Sequence, residues 1–449
     1  MSQPKRTWIY PKIIKGKLYK YRTLLSYFLL ALLFLAPFLK VNGEQLILLN
    51  VLQRKFVFFG VVFWPQDFYL FVLALLTFIV FIVLFTVVFG RVFCGWVCPQ
   101  TIFLEMVFRK IENWIEGDRN QQQKLDQSPL TADKFLKKTL KHSIFLVLSF
   151  LIANTFLAYL IGSDTLITII TEPVKMHLSG FISIGIFSLV FYLVFSRMRE
   201  LVCTVACPYG RLQGVLLDNQ STIVAYDYVR GEPREKIKRG SKNEHGDCID
   251  CNLCVQVCPT GIDIRNGTQM ECVNCTACID ACDMVMEKVN RPTRLIGFMS
   301  ETQIKTKAPF KVSARIYGYS GVFLALVSVL LFLITTRSPV KTTILRASGT
   351  LYQLNDENRT VSNLYTAEIV NKTSRTIKLE IVPTEKYAKI RYIEKPDSIV
   401  YGGSTKTTFF LIMPQASIEK YKTEVSFSIL SDNIILDRFE TTFIAPPKE

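Results

Sequence analysis

The chain has 449 residues, 50% of them hydrophobic and 12% aromatic, and a formal net charge of +16. So apolar a composition excludes an ordinary soluble protein and predicts one embedded in a lipid bilayer. The basic excess does not indicate nucleic acid: the lysines and arginines flank apolar runs, and no basic–aromatic recognition pattern is present.

The first 22 residues carry seven basic side chains, Arg22 the last of them, and no acid. They lead into the first of five apolar runs, 24–40, 68–90, 143–162, 178–196 and 316–335. Each approaches the ~20 helical residues that a hydrocarbon core of about 30 Å demands. The second run is uncharged over 23 residues. The first is not read as a signal peptide, because no small-x-small cleavage site follows LAPFLKVNGEQ. Loop 41–67 holds only Arg54 and Lys55, loop 91–142 holds nine basic residues, loop 163–177 holds only Lys175, and segment 197–315 is basic again. The positive-inside rule then predicts a cytoplasmic N-terminus and an outer C-terminus. The expected organisation is a basic cytoplasmic N-terminus (1–23), a four-helix membrane region (24–220), a cytoplasmic insert (221–312), a fifth helix (313–337) and an outer domain (338–449).

All twelve cysteines fall on the side predicted to be cytoplasmic. A disulfide scaffold would place them in the oxidising compartment, so metal ligands or redox thiols are expected instead. Four follow membrane helices, as FGRVFCGWVCPQ (Cys94, Cys98) and FSRMRELVCTVACPYG (Cys203, Cys207). The two stretches form a weak internal repeat of helix, arginine and C-x3-CP. Proline suits the first position of a helix, so Cys98 and Cys207 are expected at N-caps, where a thiolate is favoured. The four thiols could converge on one soft metal such as Cu(I) or on a cluster, act as redox dithiols, or serve as small apolar filler.

The other eight form two copies of C-x2-C-x2-C-x3-C: Cys248, Cys251, Cys254, Cys258, then Cys272, Cys275, Cys278, Cys282. Structural zinc prefers separated C-x2-C pairs to triplets. The pattern is that of a two-cluster ferredoxin, where the fourth cysteine of each run ligates the other cluster. One 4Fe–4S cluster is therefore expected on Cys248, Cys251, Cys254 and Cys282, and a second on Cys272, Cys275, Cys278 and Cys258. Pro259 follows the first run but Asp283 follows the second, an acid expected to lower the potential of its neighbouring cluster.

There are three histidines, His142, His177 and His245; His142 falls at a cytoplasmic helix end and His177 at an outer one, so these two cannot share a haem. No C-x-x-C-H or GxGxxG motif appears, so the electrons are expected to come from elsewhere. Met176 and His177 are read as interfacial residues rather than a copper site. After Arg337, short β-branched and aromatic segments such as LYTAEIV, KTTFFLIM and EVSFSIL alternate with turns. About seven strands over roughly 100 residues predict an immunoglobulin-like sandwich, a docking or bracing module. The sequons at Asn358 and Asn371 are weak signs of glycosylation.

Taken together, FFGVVFWPQDFYL, GRVFCGWVCPQT, CPYGRLQGVLLD and VCPTGIDIRNG, in this order and with this tail, resemble the cytochrome c oxidase accessory protein family (CcoG, also called FixG or RdxA). The resemblance spans essentially the whole chain. It implies a bacterial inner-membrane protein that reduces Cu(II) to Cu(I) for assembly of a cbb3-type oxidase. Cys94, Cys98, Cys203 and Cys207 would handle copper, and the eight insert cysteines would hold the clusters. Oxidase subunits or copper chaperones, a cytoplasmic electron donor or a quinol, and the bilayer are the implied partners. Two other readings stand beside it: an electron-relay subunit of a quinol-linked chain, and a non-enzymatic oxidase assembly scaffold.

Overall fold

The computed structural model describes residues 8–446 apart from 42, 53–54, 64–66, 237–245, 310–311, 348–350, 356–358, 373–375, 394, 396–397, 401, 419 and 432–433. Among the described residues five helices are long and apolar enough to cross a membrane: Lys17–Leu35, Phe68–Phe89, Ala132–Ile161, Leu178–Met198 and Ala314–Thr335. The expected five are present, with two earlier starts. Helix Ala132–Ile161 begins before the apolar run because nothing in ADKFLKKTLKH breaks a helix. Helix Lys17–Leu35 starts at Lys17 because a side chain from elsewhere caps it, as shown below. The uncharged helix spans 22 residues, which at a rise of ~1.5 Å per residue is about 33 Å. Its outer face leaves Val72, Leu75, Leu76, Phe78 and Ile79 exposed. Water would not tolerate such a stripe, but lipid does.

The chain divides into two compact units. The first comprises residues 1–35, 73–158 and 164–328. Its membrane-side core is aromatic: Phe103, Phe108, Phe145, Ile152 and Phe195 are fully buried together. Phe108 stacks on Phe195 at 4.5 Å and meets Phe145 edge-on at 4.8 Å. Phe103–Phe108, Val194–Met198 and Val202–Ala206 are π-helical, a geometry that concentrates at functional sites. The cysteine-rich insert is a small α+β element. Strands Ile223–Tyr226 and Ile296–Met299 pair antiparallel, and helix Ala277–Lys288 packs on them through Ile279 and Met286.

The second unit comprises residues 36–72, 159–163 and 329–449. One sheet orders Lys389–Tyr392, Ser404–Pro414, Thr360–Asn371 and Val340–Arg346, and the other orders Glu380–Pro383, Lys422–Ser431 and Ile434–Ile444. Every pairing is antiparallel. Inward side chains alternate along each strand, and Val361, Tyr365, Phe409, Phe427 and Phe443 fill the core. The tail is the expected sandwich, held without cysteine. Asp67, buried at the foot of the second helix, accepts from both Arg337 and Lys372 at 2.5 Å, an ion triad within this unit. Asn371 is fully buried and its amide donates to Ile399 O and Val400 O. That sequon therefore cannot accept a glycan in the folded chain, and Asn358 lies outside the described residues.

Candidate redox centre

The C-x3-CP loops fold as Cys–Pro dictates. Cys98 (ψ 123°) is the N-cap of a helix that opens at Pro99, and Cys207 (ψ 111°) the N-cap of one that opens at Pro208. The residue before proline is pushed to extended geometry, and proline needs no N–H at the first helical position. Burial pushes Cys98 up from the ordinary thiol value, while the N–H groups of Thr101 and Gln100 pull the other way. Burial likewise pushes Cys94 up to about 11, with Arg91 opposing it and Cys98 and Cys207 adding to it. Cys203 goes up to about 12, from burial and then from Cys98 and Cys94. Cys94 and Cys203 each have Cys98 and Cys207 close enough to act on them, so the two repeats bring the four cysteines into one neighbourhood.

The two cluster loops share a backbone signature. The residue before and the residue after each middle cysteine is left-handed: Asp250 (φ 48°) and Asn252 (φ 55°) in one loop, Asn274 (φ 51°) and Thr276 (φ 67°) in the other. A side chain with φ > 0 is uncommon, and four at matching places show both loops curled the same way. Curling of this kind turns successive N–H groups into a concavity that suits an anion. The eight thiols crowd one another: Cys278 is pushed up by burial and by Cys275, Cys272 and Cys258, and also by Cys254 of the other expected set. Burial pushes Cys282 up to about 12, and the thiols that add to this are Cys254, Cys248 and Cys251. Burial does the same to Cys272, with Cys275 and Cys258 adding to it. One cavity is lined by five cysteines, Cys254, Cys258, Cys272, Cys275 and Cys278. Curled loops, the cavity and the donor set all fit 4Fe–4S clusters. Among the described residues no three Cys, His, Asp or Glu side chains are drawn tightly enough around one point to hold a single ion. A cubane needs wider spacing, since its ligands bind four separate irons.

The two cysteine systems touch. Gly95, next to Cys94, packs so closely on the second loop that a Cβ there would lie 2.5 Å from Val273 O and 2.9 Å from Cys275 Cα. Cys94, Val273 and Cys275 form one buried cluster, with Tyr209 and Ala277 against it. Cys94 Sγ donates to Gln213 Oε1 at 3.0 Å, and Arg91 Nε donates to the same oxygen at 3.0 Å.

Several residues with large roles are silent in the sequence. Arg22 counts there only as a positive-inside charge, yet it is 3% exposed and its Nε donates to Gly95 O at 2.7 Å. Glu105, Arg109, Glu112 and Glu116 follow Cys98 at helical spacing and face inward. Arg109 pairs with Glu105 and Glu200, and Glu112 pairs with Arg199 (2.5 Å) and Lys141 (3.2 Å). That i, i+4, i+7, i+11 stripe of charge is the signal that could have exposed the network. Asp280, between Cys278 and Cys282, accepts from Leu18 N and Tyr19 N and caps the first membrane helix. Asp283 is held by Arg294 through N–H (2.7 Å) and guanidinium (3.5 Å), so its charge is partnered. His142 bonds Tyr192 and His177 bonds Glu172. Met176 is exposed, and His245 lies outside the described residues.

Comparison with known proteins accords with this division. Residues 198–301 match a family described as a 4Fe–4S dicluster domain. Residues 71–119 and 176–218, the two C-x3-CP hairpins, match a 4Fe–4S binding domain. Residues 330–446 match the IG-like fold at the C-terminal of FixG. The chain is similar to the nitrogen fixation protein FixG of Rhizobium meliloti, 35% identical over 307 residues that cover 66% of this chain and 57% of FixG. It is 33% identical to protein RdxB of Cereibacter sphaeroides over 403 residues, 85% of this chain and 83% of RdxB. Against protein RdxA of that organism the identity is 36% over 312 residues, 67% of this chain and 65% of RdxA. The chain thus spans less than two thirds of FixG and RdxA and most of RdxB.

Proposed function

The chain belongs to the FixG/RdxA family of iron–sulfur electron-transfer proteins, and from that premise we propose that it reduces Cu(II) to Cu(I) for maturation of a cbb3-type cytochrome c oxidase. The observation that carries the reading is the packing of Cys94 and Gly95 on Val273–Cys275. An electron held in the second loop needs to cross only this contact to reach the four membrane-edge thiols. Cys248, Cys251, Cys254 and Cys282 would hold one cluster, and Cys258, Cys272, Cys275 and Cys278 the other. Bound there, the clusters supply one-electron storage. Cys251 is exposed, which suits it to face a soluble donor or a quinol. Cys94, Cys98, Cys203 and Cys207 receive copper as substrate. Each Cu(II) takes one electron, and soft thiolates favour the Cu(I) product. In this reading the cysteine systems face the cytoplasm of a bacterial inner membrane. The Ig-like domain stands outside and docks oxidase subunits or copper chaperones.

A second reading is favoured by the match of both C-x3-CP hairpins to a 4Fe–4S binding domain. There the four thiols hold a third cluster and the chain relays electrons to a quinone or a partner subunit.

The two readings part in one experiment. The protein is purified anaerobically, its iron, sulfide and copper are quantified, it is reduced with dithionite, and Cu(II) is added. Stoichiometric Cu(I) together with reoxidised clusters is the outcome expected for the reductase. Clusters that stay reduced beside Cu(II) yet pass electrons to a quinone analogue would overturn it in favour of the relay. Replacing Cys94, Cys98, Cys203 and Cys207 together by serine is expected to abolish Cu(I) formation while the clusters of the insert remain.

A further inference from the structure

Two arginines are buried where the membrane-edge loop meets the second cluster loop, and among the described residues neither has a carboxylate partner. Arg22 comes from the first membrane helix and Arg91 from the end of the second; both are 3% exposed. Arg22 donates through Nε to Gly95 O at 2.7 Å, and its Nη2 is buried without a partner. Arg91 donates to Gln213 Oε1 (3.0 Å) and to the carbonyl of Met270, two residues before Cys272. The carboxylates near this loop are engaged otherwise: Glu105, close enough to act on Cys275 as Arg22 is, and Glu200 pair with Arg109, and the buried Asp280 accepts from Leu18 N and Tyr19 N. A buried charge is costly unless it is compensated. Two uncompensated guanidinium groups against one cysteine loop call for an anion there, and a tetrathiolate cluster is one.

The first cluster loop differs. Its arginine, Arg265, is matched by two carboxylates, Asp250 at 2.6 Å and Asp263 at 2.7 Å, and Asp283, beside Cys282, is matched by Arg294. The potential of a cluster follows its net charge, its hydrogen bonds and its solvent exposure. Positive charge left over at one loop and none at the other builds a potential step between them.

We propose that Arg22 and Arg91 are positioning residues that raise the potential of the second cluster above that of the first, so that electrons run from the exposed Cys251 side toward Cys94. One electron leaves the cluster of Cys248, Cys251, Cys254 and Cys282, oxidising it, and reduces the cluster of Cys258, Cys272, Cys275 and Cys278. A low-potential one-electron donor refills the first. The inference rests on the assignment of two clusters made above but not on copper being the acceptor.

The test is an EPR-monitored redox titration of the full chain in detergent, dithionite-reduced and free of copper. Wild type should show two steps. Arg91→Gln should lower the upper step and leave the lower in place. Arg91→Lys, which keeps the charge, should restore most of the separation. Arg265→Gln should move only the lower step, fixing the assignment. Arg22→Gln should act as Arg91→Gln does; should it fail to load iron, the Arg91 pair decides alone. A single wild-type step, or an upper step unmoved by Arg91→Gln, would overturn the proposal. So would Arg91→Gln and Arg91→Lys shifting the upper step alike, which marks a purely structural role. Because no copper is present, two steps that respond as expected would stand even if Cu(II) were never reduced.

Discussion

Arg91 and Arg199 precede the two C-x3-CP motifs at nearly the same distance, and each reaches the helix that follows the other motif. Arg199 of the second motif donates to Glu112, on the helix after Cys98, at 2.5 Å. Arg91 of the first donates to Gln213, on the helix after Cys207, at 3.0 Å. The two hairpins are thus cross-braced, but one brace is ionic and the other neutral. Glu112 neutralises Arg199, and a glutamine cannot neutralise Arg91. The repeat is symmetric in sequence spacing and asymmetric in charge, and the uncompensated arm is the one that abuts the second cluster loop.

Breaking the ionic brace should have the largest effect. Glu112→Gln strands the buried Arg199 and takes one of the two carboxylates from Lys141, which keeps Glu116 at 2.8 Å. Removing one partner of such a buried pair costs about 3–5 kcal/mol, read as a fall in the thermal midpoint of the iron-loaded protein. Gln213→Leu takes the acceptor from Cys94 Sγ and from one N–H of Arg91, which keeps its bond to Met270 O, and should cost roughly 1–3 kcal/mol. Acid should mimic the first variant. Burial pushes the Glu112 carboxyl up, but Arg199 and Lys141 overcome it and leave it below the ordinary range. A depressed carboxyl stabilises the fold above its unfolded value and loses that contribution as pH falls through the folded one. Wild type should therefore lose stability below the ordinary carboxylate range, and Glu112→Gln should lose less there.

The residue after the first cysteine of each motif gives a second contrast. Gly95 lies against backbone, where a side chain has nowhere to go. Thr204, its counterpart after Cys203, is half-buried on a π-helical turn and donates to Glu200 O at 3.3 Å. Gly95→Val must push the membrane-edge loop off Val273–Cys275 and should cost about 1–3 kcal/mol, the usual range for overpacking. Electron transfer to an acceptor at the membrane edge should fall with it, measured by stopped-flow reoxidation. Thr204→Val loses one modest hydrogen bond and should cost under about 1 kcal/mol, with transfer unchanged. Equal effects of the two would mean that the contact is not the route.

What the sequence reveals here follows the range of the forces involved. The eight insert cysteines are legible because a cluster draws three ligands from one short loop, so the chemistry is written as local spacing. Cys98 and Cys207 are legible as N-caps because proline acts on its neighbour, and the five helices because lipid demands long apolar runs. Arg22 is not legible. Counting basic residues treats it like Lys20, and only its bond to Gly95, 73 residues away, shows that it is buried. The same holds for Arg199 with Glu112 and for Asp280 with the first membrane helix, whose start at Lys17 rather than residue 24 depends on that cap. Gly95 reads as one glycine among 22 until the backbone of the second loop is laid against it.

The N-terminal segment supplies the last and smallest contrast, since both cluster runs hold it at the position two after their third cysteine. In the first run Gln256 uses its main-chain carbonyl to accept from Lys12 N at 2.8 Å. In the second, Asp280 uses its carboxylate to accept from Leu18 N at 3.2 Å and Tyr19 N at 2.7 Å. A side chain can be substituted and a carbonyl cannot, so only the second hold can be tested directly. Asp280→Ala should cost about 1 kcal/mol, the ordinary value of a lost helix cap, and Asp280→Asn much less, because asparagine caps as well. Trypsin should then cut sooner after Lys15 or Lys17 in Asp280→Ala, with Asp280→Asn close to wild type. Cleavage that speeds up equally in both would show that charge at the helix start, rather than the hydrogen-bonded cap, is what ties the segment to the second run.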